Sequence, residues 1–281
     1  MLKKCFKYDF HSIFKIWLIL SVIVVSIAVP AGFAFNYVFD TENYSAEGAP
    51  FIALIAMGVF MLYYTAIIVY VLATKILLYV RYYKHFFTDE GYLTFTLPVK
   101  RSTLFISKIL NSVLYDVMLV AVLFSSLLIT FAISGMLGES ATVFIQTFAV
   151  IWGFSGAQLI LWIPLILVIC ALSSCTSDLF CYLCITLGAI IFKKHKVIGA
   201  VGIYYGSYNF VYPIFGFIYG MVLSLLITAG TEFMVNSSSA AVGLPYVITL
   251  GLVIVICTLA AAVIGLAGII IHCLERRLNL A

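Results

Sequence analysis

Three consecutive stretches decide the fold: IWLILSVIVVSIAVPAGFAFNYVF (Ile16–Phe39), DTENYSAEGAP (Asp40–Pro50) and FIALIAMGVFMLYYTAIIVYVLATKILLYV (Phe51–Val80). The outer two are apolar and each exceeds the ~20 residues that an α-helix needs to cross a hydrocarbon core of roughly 30 Å. The break between them holds Asp40, Glu42 and Glu47 and no Lys or Arg. Moving outward, the polar breaks alternate in charge. Arg81, Lys84, Lys100, Arg101 and Lys108 come next, then Gly138-Glu139-Ser140, then Lys193-Lys194-His195-Lys196, then Thr231-Glu232, and finally Glu275-Arg276-Arg277. Cytoplasmic loops carry excess Lys and Arg, so all fifteen basic residues are assigned to one side. This places both termini in the cytoplasm of a multi-pass cell-membrane protein and requires an even number of crossings.

Composition agrees. A chain of 281 residues that is 65% hydrophobic and 9% charged, with a mean hydropathy of +1.21, is excluded from the soluble globular class. The net charge of +4 is dispersed over several cytoplasmic segments, which argues against nucleic acid and for attraction to an anionic inner leaflet. None of Cys5, Cys170, Cys175, Cys181, Cys184, Cys257 and Cys273 falls in an outward loop, so no extracellular disulfide framework is expected. Cys181 and Cys184 form a C-x-x-C inside an apolar run, without a second pair or a nearby His, and read as small helix residues rather than metal ligands. The apolar run after Lys3, Lys4 and Lys7 is too long for a signal-peptide core and is taken as a retained first span.

The expected architecture is all-α and polytopic, with six transmembrane helices at about 16–39, 51–80, 107–136, 160–190, 197–230 and 246–272. Residues 1–15 have a helical periodicity of their own. Leu2, Phe6, Phe10, Ile13 and Trp17 share one face, with Lys3, Lys4, Lys7, His11 and Lys15 elsewhere, as in an amphipathic helix lying on the inner leaflet. Residues 142–192 must cross an odd number of times between Glu139 and Lys193, and are too few for three crossings. One crossing is assigned near 160–190, with Ala141–Ala157 as an outer-leaflet or re-entrant helix.

Ionisable residues inside a membrane are functional candidates. Asp116 follows Lys108 by eight residues, roughly 12 Å at helical rise, and Lys75 precedes Arg81 by six. These comparable depths suggest a Lys75–Asp116 pair that neutralises both charges. Asp178 follows Ser173-Ser174-Cys175-Thr176-Ser177, a polar interruption that either breaks the fourth span or faces a wet cavity. Tyr204, Tyr208, Tyr212 and Tyr219 lie on one face of the fifth span, either lining a cavity for an amphipathic solute or packing on neighbouring helices. Gly202 and Gly206 fall opposite, suited to close helix packing.

The segment 81–106 is the longest cytoplasmic one and is amphiphilic throughout. Phe86, Phe87, Tyr92, Leu93, Phe95 and Leu97 exceed what a soluble loop needs, Gly91 is placed to end one helix and Pro98 to begin another. A short aromatic helix here either docks a cytosolic partner or lies in the headgroups. The run DEGYLTFTLPVKRSTLFISKIL, after RYYKHFFT, resembles the segment between the second and third helices of ABC-2-type transporter permeases, in particular the six-span permeases of bacterial drug and antimicrobial-peptide exporters. The stretch CITLGAIIFKKHKVIGAVGIYYG is similar to that family as well. The resemblance implies that Phe86–Leu97 is a coupling helix for a separate ABC ATPase, with Glu90 and Arg101 as polar contacts. It also implies a working unit of two permease subunits, identical or different, with ATP and Mg on the ATPase. The chain itself contains no G-x-x-x-x-G-K-[ST] phosphate loop and is expected to bind no cofactor or metal.

An enzyme reading was weighed. Gly153-Phe154-Ser155-Gly156 matches the G-x-S-G of intramembrane serine proteases, but a serine nucleophile needs a histidine at its own depth. His11, His85, His195 and His272 all lie at the cytoplasmic edge, opposite the side expected for Ser155. The expectation is therefore a non-enzymatic permease subunit that exports a hydrophobic or amphipathic solute. A secondary transporter and a non-transporting immunity or assembly protein are the alternatives.

Overall fold

A computed structural model describes residues 2–39, 49–88, 90–91, 100–135, 138, 142, 156–192, 194–236 and 240–276. Among these residues there are six long helices and no strand: α1 (Leu2–Phe39), α2 (Ala49–Phe87), α3 (Arg101–Ile133), α4 (Gly156–Ile191), α5 (Lys196–Asn236) and α6 (Ala240–Arg276). Five contain segments long and apolar enough to cross a membrane: Lys3–Val38, Phe51–Phe87, Arg101–Ile133, Trp162–Ile191 and Thr249–Glu275. The chain is thus an all-helical membrane protein. An apolar exterior is its signature: Phe51, Leu54, Phe124, Leu167, Phe217 and Ile264 are all more than half exposed, which water would not tolerate and lipid favours.

Several boundaries differ from those expected. α1 runs unbroken through residues 15 and 16, so no turn separates an interfacial helix from the first span. The reason is packing. Phe10 stacks on Tyr115 at 5.4 Å, Trp17 meets the same ring edge-on at 6.0 Å, and Ile13 is buried beside them. The apolar face of the first turns therefore covers α3 instead of lying open to headgroups. Pro30 is accommodated within α1. α2 extends seven residues beyond Val80, and α3 starts at Arg101, so both ends of segment 81–106 are absorbed into the long helices. α4 passes through Ser173–Asp178 without a break. α3 stops at Ile133, where Gly135 takes a left-handed φ of 73°. Of the postulated helix at 141–157, Gly156 and Ala157 belong to the start of α4, Thr142 is described singly, and the rest, like the expected Pro98 start, lies outside the described residues.

The chain forms two compact units, residues 1–81 with 114–147 and residues 82–113 with 148–281. In the first unit α1 and α3 approach through small residues. A Cβ on Gly32 would lie 2.8 Å from Ile133 Cβ and 3.0 Å from Thr130 O, and Asn36 Nδ2 donates to Ser134 O at 2.9 Å. Tyr63 bonds Ser126 Oγ at 3.0 Å, and because Ser126 spends its proton on Leu123 O, Tyr63 is the donor. In the second unit α4 packs on α5 and α6, and α5 on α6. α4 and α5 approach closely at Gly188, where a Cβ would stand 2.5 Å from Ala200 N.

Candidate functional site

The first unit contains a buried ionic cluster tied into an aromatic one. Lys75 Nζ donates to Asp116 Oδ1 at 2.6 Å, joining α2 to α3 as their matching depths suggested. One α-helical turn and a half further along α2, Arg81 Nε stands 3.9 Å from Asp9 Oδ1, and its guanidinium lies 5.5 Å from the centre of the Tyr8 ring. Tyr115, next to Asp116, donates its hydroxyl to Phe10 O at 2.7 Å, next to Asp9. Two carboxylates and two cations thus pair within the unit that also holds the ring cluster of Phe6, Phe10, Phe14, Trp17 and Tyr115. Opposite charges in a low-dielectric interior attract strongly, and each neutralises what would otherwise be a costly buried ion. Asp9 is the member that sequence reading passed over. Its position carried a signal: it follows Phe6 by three residues and precedes Ile13 by four, which puts a carboxylate on the apolar face of α1.

The second unit contains a clamp around the α2–α3 connection. Tyr82 is wholly buried, stacks on Tyr182 at 4.2 Å and bonds Thr186 Oγ1 at 2.8 Å. Thr186 donates its own proton to Tyr182 O, so Tyr82 is the donor in this bond too. Phe86 and Phe87 pack against Tyr82 and are 0% and 6% exposed. Their side chains therefore face into the chain's own core and are not on its surface. Beyond Phe87, Thr88 Oγ1 bonds Lys84 O, and Gly91 folds back so closely that a Cβ would lie 2.8 Å from Phe86 O. Only glycine fits that approach.

Two cations hold the ends of this connection. Arg101 Nη1, at the start of α3, donates to Leu274 O in the last turn of α6 at 2.7 Å. Lys196 Nζ, at the start of α5, reaches Phe87 O, the final residue of α2, at 3.4 Å. Carbonyls in a last helical turn lack intrahelical partners and carry the negative end of the helix dipole, so a cation there satisfies both. Arg101 is thus engaged within the chain, whereas Glu90 is exposed. Tyr92, Leu93, Phe95 and Leu97 lie outside the described residues.

Asp178 is fully buried in α4, within the second unit that also encloses Lys108, Asn111 and Ser112. The polar interruption around it is absorbed in a continuous helix: Ser173 and Thr176 bond backbone carbonyls one turn earlier. Tyr204 and Tyr208 stack at 6.2 Å, and Tyr204 also meets Phe180 of α4 at 5.9 Å, so this end of the stripe rests partly on a neighbour. The side chains of Tyr212 and Tyr219 lie outside the description. Gly202 and Gly206 have nothing within 4 Å of an added Cβ, so they do not make the helix approach expected of them. Gly188 and Gly32 do. Among the described residues no cluster of His, Cys, Asp or Glu suits a metal ion. Comparison with family models, with curated proteins and with solved structures finds no match to this chain.

Proposed function

We propose that this chain is the membrane subunit of an ABC-2-type exporter, with six crossings and both termini in the cytoplasm, working as a dimer with a separate ATPase. The observation that carries the reading is the clamp around the α2–α3 connection. Phe87 at one end is tied to Lys196 of α5, and Arg101 at the other to Leu274 of α6. A partner that pushes on residues 88–100 therefore pulls on the ends of two further helices, which is what a coupling segment must do. Support also comes from the one-sided Lys and Arg, which put this connection on the cytoplasmic side, and from the sequence resemblance of residues 81–110. Glu90 is exposed on this connection and is the residue we assign to a polar docking contact, while buried Phe86 and Phe87 brace the connection from beneath. ATP and Mg belong to the partner, and a hydrophobic or amphipathic solute would move outward through the helices.

The test is co-purification. The full chain, expressed with its genomic neighbours and extracted in detergent, should retain an ATPase subunit, and Glu90→Arg should lose it while eluting as a folded protein. No retention by the native chain would refute the reading. Full retention by Glu90→Arg would remove the docking role from this connection. The buried Lys75–Asp116 pair is the observation that favours ion-coupled transport instead. That rival is distinguished by export that follows an ion gradient and persists without ATP.

A further inference from the structure

The α4–α5 junction opens into a cavity of about 540 Å³ lined by Phe192, His195, Ile198, Gly199, Gly202 and Ile203. Two glycines make the space. Gly199 lies directly under the Phe192 ring, where a Cβ would come within 2.2 Å of Cδ2, and Gly202 presents no side chain at all. The lining is apolar apart from His195. The same junction carries the run Lys193-Lys194-His195-Lys196, in which Lys194 and His195 are exposed while Lys196 is turned to Phe87 O.

An apolar slot beside an exposed lysine and an exposed imidazole matches an amphiphile with an anionic head. A zwitterionic lipid would leave the lysine without net compensation, and a free anion would leave the slot unused. We propose that this junction binds an anionic phospholipid, its phosphate over Lys194 and His195 and an acyl chain in the cavity. The inference rests on this junction alone and is independent of the transport reading.

The experiment uses the purified, delipidated full chain in detergent, titrated with phosphatidylglycerol or phosphatidylcholine of identical chains and read by native mass spectrometry. Phosphatidylglycerol should bind about fivefold more tightly, the contribution expected of one lysine at a membrane surface. Lys194→Glu should erase that preference with phosphatidylcholine binding unchanged. Gly202→Leu has its Cβ in open space, extends its side chain into the slot and improves helix propensity, and should lower phosphatidylglycerol occupancy at least threefold. Millimolar inorganic phosphate should leave the lipid bound. Equal binding of the two lipids by the native chain overturns the proposal, as does a preference that survives either variant, or displacement by phosphate. Should Lys194→Glu fail to elute as a folded protein, Lys194→Ala replaces it with the same expectation.

Discussion

Replacing Asp116 by leucine removes the carboxylate oxygen that the Lys75 ammonium meets at 2.6 Å. The two side chains are 20% and 11% exposed, so both are largely withdrawn from their surroundings. Removing one partner of a buried pair costs about 3–5 kcal/mol, since the survivor remains desolvated. Lys75 retains some exposure and a flexible stem, which lets the ammonium move outward, so the lower end of about 3 kcal/mol is expected. The double variant Lys75→Met, Asp116→Leu removes both charges at similar volume and should cost no more than about 1 kcal/mol. The pair should therefore show a coupling energy of about 2 kcal/mol or more. Unfolding of the full chain titrated with SDS in mixed micelles reads all four corners of that cycle. Single variants within about 0.5 kcal/mol of the native chain, or a coupling indistinguishable from zero, would refute the argument. The same double variant separates structure from transport: a structural pair leaves export intact in the folded double variant, and a transporting pair does not.

Two further substitutions are read by the same unfolding assay. Gly188→Ala drives a Cβ to 2.5 Å from Ala200 N and should destabilise by about 1–3 kcal/mol, whereas Gly202→Ala, in open space, should be neutral or stabilising; equal stabilities would contradict the α4–α5 approach. Tyr82→Phe removes a donated hydrogen bond but leaves Thr186 bonded to Tyr182 O, so about 1 kcal/mol is expected, against about 3–5 for Phe86→Ala; the reverse order would mean that the cluster is held by its polar bond and not by its packing.

Helix number and placement were legible because apolar length and polar breaks are local properties of the chain. The matching depths of Lys75 and Asp116 were legible for the same reason: helical rise converts sequence spacing into distance. What could not be read was which face of a helix finds a protein neighbour and which finds lipid, because both are apolar and hydrophobicity does not separate them. Phe86 and Phe87 therefore looked like surplus surface aromatics, although both are buried and pack against Tyr82. The apolar face of residues 6–17 looked interfacial until Tyr115 was found against it. Glycines failed in the same way. Spacing made Gly202 and Gly206 as eligible for close packing as Gly188, and only the partner helix decides.

The basic residues from which the sequence reading assigns one side of the chain also make structural contacts, and this limits how topology can be tested. Arg101 and Lys196 bond carbonyls in the last turns of α6 and α2, and Lys75 and Arg81 face Asp116 and Asp9. A helix that ends on the basic side presents its negative dipole end there, so the charge sign that orients the chain during insertion is also the one that satisfies its helix ends afterwards. Charge reversal at Arg101 or Lys196 would therefore change packing and orientation together, and a lost phenotype would not say which had failed. Lys3, Lys4, Lys7, Lys84, Lys100 and Lys194 are exposed, and reversing a set drawn from these alters the charge bias with the least effect on packing. If orientation is set by the bias alone, reversal at Lys3, Lys4 and Lys7 should redistribute cysteine accessibility at the termini while the unfolding free energy of correctly inserted chains stays unchanged.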